Sequence, residues 1–172
     1  MLQIAQASSS GTARLQGGLR VAKDPNDPLA YLVRATLRFA LGSAEDARAW
    51  EGTAADPVLP GLGALYEYAT ADTNTRKWKV AMVDDRELIV GLAPQRDTEA
   101  AGEGYEGGMV VRGVRASLTQ KECVVDVALV AGGLTEDEQR AVVRLLRGLV
   151  EVQTENRQVE LFDGQDGASA SG

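Results

Sequence analysis

Thr75-Arg76-Lys77-Trp78-Lys79-Val80 is the segment whose residue types and spacing best suit an anion. Side chains of an extended strand alternate between faces, so Lys77 and Lys79 share one side and Trp78 and Val80 take the other. Such a lysine pair could neutralise the phosphates of a nucleic acid, whose single-stranded bases stack on aromatic rings. By itself, though, the pattern is also that of a solvent-facing sheet edge, where lysines discourage edge-to-edge pairing. Arg112 and Arg115 add little to it, because three residues apart they fall on opposite sides of an ideal strand.

Catalytic chemistry has few candidates. The chain contains no histidine, and so lacks the commonest general base and the commonest metal ligand. Cys123 is the single cysteine; without histidine it cannot act as a papain-like nucleophile, and a zinc site would need clustered Cys or His. The acid pairs Asp84-Asp85 and Glu136-Asp137 fit a solvated turn and a helix cap. Gly102 to Gly108 is glycine-rich, but it has no lysine and no following helix, and its acids would repel phosphate. These absences argue against an enzyme and predict no cofactor and no metal.

The chain has 172 residues with a formal net charge of −7, 25% charged and 44% hydrophobic. That is ample for a single domain with a real core. No run of eighteen apolar residues occurs, so no membrane span is expected, and the N-terminus does not read as a secretory signal. Residues 1–164 read as one domain and 165–172 as a flexible small-residue tail.

The elements expected to position these residues are mostly strands. Cys123 to Val130 is rich in β-branched residues and predicts a strand, ended by Gly132-Gly133. Thr135-Glu136-Asp137-Glu138 then opens a helix: Thr135 caps it, and Glu138 can reach back to the cap's own N–H. Val142, Leu145, Leu146 and Leu149 follow at helical spacing as one apolar stripe. Leu2 to Gln6 and Ala13 to Ala22 flank Ser8 to Thr12 and predict an N-terminal hairpin. Leu29 to Leu41 fits strand or helix and is read as strand. A short helix is expected around Ala44 to Trp50. Ala64 to Ala71 and Trp78 to Val83 predict a further hairpin, in which Tyr66 and Tyr68 share a face. Leu88 to Leu92 is a candidate extension of the sheet, Arg96 to Gly108 should be an exposed loop, and Met109 to Leu118 pairs with the strand containing Cys123. The fold class is therefore α+β, an antiparallel sheet with an N-terminal hairpin and one or two C-terminal helices.

Two stretches carry a family resemblance: Thr75-Arg76-Lys77-Trp78-Lys79-Val80, and Asp126-Val127-Ala128-Leu129-Val130 through Thr135-Glu136-Asp137-Glu138-Gln139-Arg140-Ala141-Val142-Val143-Arg144. In these the chain resembles the coat proteins of single-stranded RNA bacteriophages. The resemblance implies a subunit of the virion, assembled in the bacterial host cytoplasm. It implies an intertwined homodimer gripped through Val142, Leu145, Leu146 and Leu149, with dimers closing into an icosahedral shell. It also implies genomic single-stranded RNA on the inner sheet face, touched by Lys77 and Lys79. Tyr66 and Tyr68 are further RNA contacts on this reading, as are Val124 and Asp126, although a one-residue register slip would turn them away. The long segments 42–63 and 96–108 depart from the family pattern. So does the acidity, unless acids gather on outer loops and cations on the inner face. An acidic peptide-binding secretion chaperone or adaptor is the alternative that suits a pI of 4.7.

Overall fold

The computed structural model describes residues 2–6, 13–71, 78–82, 85–91, 108–119, 122–148 and 150–154. Their elements run β1 (Leu2–Gln6), β2 (Ala13–Leu15), β3 (Arg20–Asp24), β4 (Asp27–Ala40), α1 (Ala44–Arg48), α2 (Leu62–Ala71), β5 (Trp78–Met82), β6 (Arg86–Gly91), β7 (Gly108–Leu118), β8 (Cys123–Leu134), α3 (Glu136–Arg147) and β9 (Val150–Thr154). The strands form one predominantly antiparallel sheet in the order β2-β4-β8-β7-β6-β1-β9, with β3 also on β4 and β5 also on β7. The β1–β6 pair is parallel.

The long strands β4, β8 and β7 set the architecture through strict alternation. Val33, Ala35, Leu37 and Phe39 of β4 and Val125, Val127 and Leu129 of β8 are buried on one side. Arg34, Thr36 and Arg38, with Asp126, Ala128 and Val130, point to the other. Among the described residues, the three helices cover the first side and no element lies over the second, the open face. Leu29 to Leu41 is thus a strand, because its β-branched and aromatic residues alternate with polar ones on a half-buried sheet.

α3 is built as its residues dictate. Thr135 Oγ1 accepts from the Glu138 N–H at 3.2 Å while Glu138 Oε1 accepts from the Thr135 N–H at 3.1 Å, completing the capping box. Ala141, Val142, Leu145 and Leu146 pack inward on β4, β2 and β8. Thr135→Ala is expected to lower unfolding stability by about 1 kcal/mol through loss of this cap. A urea midpoint equal to that of the parent would rule the cap out as a stabilising contact.

Two hairpins expected from sequence are replaced by other pairings. β1 pairs with β6 and β9, not with β2, so no N-terminal hairpin forms; residues 7–12 lie outside the described set. The stretch from Ala13 to Ala22 is also not one strand. It breaks at Gly17, whose φ of 74° lies in the left-handed region, and its halves β2 and β3 pair with different parts of β4. Residues 64–71, expected as a strand, belong to helix α2. Leu62, Leu65, Tyr66 and Ala69 stand at helical spacing and pack toward the core, and burial of that stripe overrides the apparent two-residue alternation. Trp50, at the end of α1, anchors this excursion edge-on against Phe39 with ring centroids 4.8 Å apart.

Among the described residues, Asp24 is the buried charge of the fold. Its carboxylate accepts from the N–H groups of Asn26 (2.9 Å) and Gly133 (2.6 Å), tying the β3–β4 turn to the end of β8. Gly133 has φ 65°, the left-handed conformation that glycine accepts without strain.

Cys123 is buried at the start of β8, and desolvation, with a smaller contribution from Glu122, pushes its thiol up to about 11. Between an unfolded value of about 9 and that folded value, only the unfolded chain releases the proton. Stability from this group is therefore constant below pH ~9 and falls as pH rises toward 11. In urea titrations, the parent should lose stability more steeply over this window than Cys123→Ala. Identical slopes would contradict the buried thiol.

Candidate nucleic-acid interface

The open face is organised in rows that cross the strands, since register partners on neighbouring strands point the same way. One row reads Ala40, Val124, Ser117, Lys79. The next reads Arg14, Arg38, Asp126, Arg115, Ala81. A third holds Thr36, Ala128 and Gly113, and a fourth Arg20, Arg34, Val130, Val110 and Glu87. Arg112 projects beside this last row, lining the same hollow as Arg20 and Arg34.

Arg112 and Arg115 share this face because of a β-bulge. Val111 pairs with Leu129 and Gly113 with Ala128, which leaves Arg112 as the extra residue. The bulge shifts the alternation by one, so Arg112 and Arg115 share a face that an ideal strand would deny them. A bulge is a tertiary pairing choice with only a weak local cue, here the glycine at 113.

Among the described residues few acids share this face, Glu87 at the end of the fourth row included. Asp126 is another, and both its oxygens are engaged by Arg38, Nε at 2.8 Å and Nη2 at 2.9 Å. That bidentate pair holds Arg38 above its ordinary value and ties its guanidinium to the neighbouring strand. Asp85 pairs with Arg112 at 2.6 Å, both more than half exposed, a contact worth little in water. Among the described residues, Arg14, Arg20, Arg34, Arg115 and Lys79 have no ion-pair partner. Arg14 stands opposite Arg38 and Arg20 opposite Arg34, like charges on adjacent strands that cost stability. Among the described residues, Glu45, Asp46 and Glu67 on α1 and α2, and Glu136, Asp137 and Glu138 at the start of α3, lie on the helix side.

Of the residues singled out from sequence, Lys79, Val124 and Asp126 meet on the open face. Lys77 and Leu149 lie outside the described residues. Tyr66 and Tyr68 are not brought there: on α2 they are two positions apart, roughly 200° around the helix, with Tyr66 packed toward the core and Tyr68 in solvent. Val142, Leu145 and Leu146 are covered by their own sheet within one copy, at 0–3% exposure. Arg14, Arg20, Arg34 and Arg38 carry no signal in the sequence because their shared face depends on which strands become neighbours.

With Asp126 in the middle of the cations, Asp126→Asn is expected to raise affinity for a polyanion about fivefold at low salt, since one charge about 4 Å from a phosphate is worth roughly 1 kcal/mol in water. Heparin or RNA titration would check it, and weakened binding would mean that the carboxylate itself contacts the ligand.

No family model, curated protein or solved structure matches the chain. Among the described residues, no helix is long and apolar enough to cross a membrane, and no cluster of three or more candidate metal ligands occurs.

Proposed function

We propose that this chain is an RNA-binding structural subunit of coat-protein type, holding single-stranded RNA on the open face of its sheet. The observation that carries this reading is the segregation of charge. A protein of net charge −7 sets arginine rows and Lys79 on one helix-free face and leaves several of these cations without an acid partner among the described residues. Packing the fold does not require that arrangement, and the facing arginine pairs work against it; a polyanion relieves them. Among the described residues, six acids stand on the helices, away from this face, which lets an acidic chain carry a basic surface.

Assembly is the second half of the proposal. Because Val142, Leu145 and Leu146 are already covered in a single copy, a dimer gripped through them is one in which α3 of each copy lies on the sheet of the other, making the same contacts between chains. The outward side of α3, with Glu136, Arg140 and Arg144, is charged and unsuited to an apolar obligate interface.

Purification at low salt followed by light scattering, absorbance at 260 and 280 nm, and electron microscopy tests both halves. Dimers or particles with nuclease-protected RNA are expected. A monomer that carries no RNA, and does not bind an added oligonucleotide at 50 mM salt, would overturn the proposal.

A further inference from the structure

Resting on the RNA reading of the open face, we infer that the ligand lies across the β-strands as one unpaired strand, in a trough between two arginine rows, read through its backbone. The floor of the trough is the row of small residues Thr36, Ala128 and Gly113; Ala81 on β5, in the row of Arg115, borders its far end. Two adjoining hollows, of about 720 and 280 Å³, share Thr36 and Ala128 and so form one continuous depression. Arg20, Arg34 and Arg112 stand along one wall; Arg38 and Arg115 stand along the other, with Arg14 next to Arg38.

The dimensions choose the occupant. Arg34 and Arg38 are four residues apart on β4, which separates the walls by about 13 Å at the rise of a strand. From the linker at Gly17 to β5 the trough crosses four strand spacings, about 19 Å. At about 3.4 Å per stacked nucleotide that length takes on the order of five phosphates. One sugar-phosphate strand fits between the walls with cations on both sides. A duplex is wider than the gap and meets only the wall crests. Among the described residues no aromatic ring lines either hollow, so base stacking has no platform there and the phosphates carry the affinity. The trough therefore takes single strands with little preference for sequence.

The test uses fluorescein-labelled oligouridine and oligoadenosine of about ten nucleotides, and an RNA duplex of equal length, read by anisotropy between 50 and 200 mM salt. Two variants narrow the trough without changing charge: Ala128→Leu on its floor, and Ala81→Leu at its border on β5 should the first disturb folding. Both single strands should bind alike and at least tenfold more tightly than the duplex, and a trough-narrowing variant should weaken single-strand binding on the order of tenfold while its salt slope stays near that of the parent. If these variants bind as the parent does, or duplex and single strand bind equally, the trough is wrong although the basic face still binds RNA. If none of the three probes binds, the RNA reading itself falls.

Discussion

Arg14→Glu combined with Arg34→Glu is expected to lower affinity for a single-stranded RNA by about 10²- to 10³-fold at 0.1 M salt, because on the proposed function each reversal removes one phosphate partner and adds one repulsion, each worth roughly 1 kcal/mol. The slope of log affinity against log salt should fall by about 1.4, which is about 0.7 for each phosphate of a single strand that is no longer neutralised. The same double variant should keep or slightly raise the melting temperature. Each new carboxylate stands opposite an arginine, at Arg38 and at Arg20, and replaces a repulsive cross-strand pair with an attractive one. This opposite movement of binding and stability separates a ligand face from a merely structural one. Unchanged affinity, or a drop that simply follows unfolding, would refute the assignment.

Leu146→Ala should lower unfolding stability by about 2–5 kcal/mol, the range for truncating a buried leucine whose surroundings cannot collapse. Leu146 is 2% exposed and sits beside Val142 and Leu145 in the stripe that seals the helix side of the sheet. Against a total stability of roughly 5–15 kcal/mol for a domain, that change is large. Its dependence on protein concentration carries further information. If α3 lies on its own sheet, the urea midpoint of parent and variant is independent of concentration. If α3 is exchanged between two copies, both midpoints rise with concentration and the variant dissociates first. An effect below about 0.5 kcal/mol, as at an exposed position, would show that the helix does not pack as described.

The parts of the fold legible in the sequence are those governed by neighbours in the chain. The α3 capping box needs only Thr135 and Glu138 three residues apart. The strand character of β4 and β8 follows from alternation within each segment, and the β7–β8 hairpin from a short connection. Helix α2 is disguised because Tyr66 and Tyr68 mimic strand alternation; Leu62 and Ala69, which reveal the helical stripe, point inward only once Trp50 has anchored the preceding loop on Phe39. The N-terminal hairpin suggested by the sequence fails for a related reason: β1 has better partners in β6 and β9, at the far side of the sheet and remote in sequence.

The candidate site divides the same way. Strand period alone opposes Lys79 to Val80, and composition alone makes the chain acidic with no histidine. The tertiary structure decided that Arg14, Arg20, Arg34, Arg38, Arg115 and Lys79, from five strands, share one side, and that a bulge at Arg112 puts Arg112 and Arg115 on the same face. Sheet order and register join residues far apart in the chain through backbone hydrogen bonds that are indifferent to side-chain identity. A row such as Arg14, Arg38, Asp126, Arg115 thus has no signature in any one segment, and arises only when the burial of the opposite face fixes which strands are neighbours and in which register.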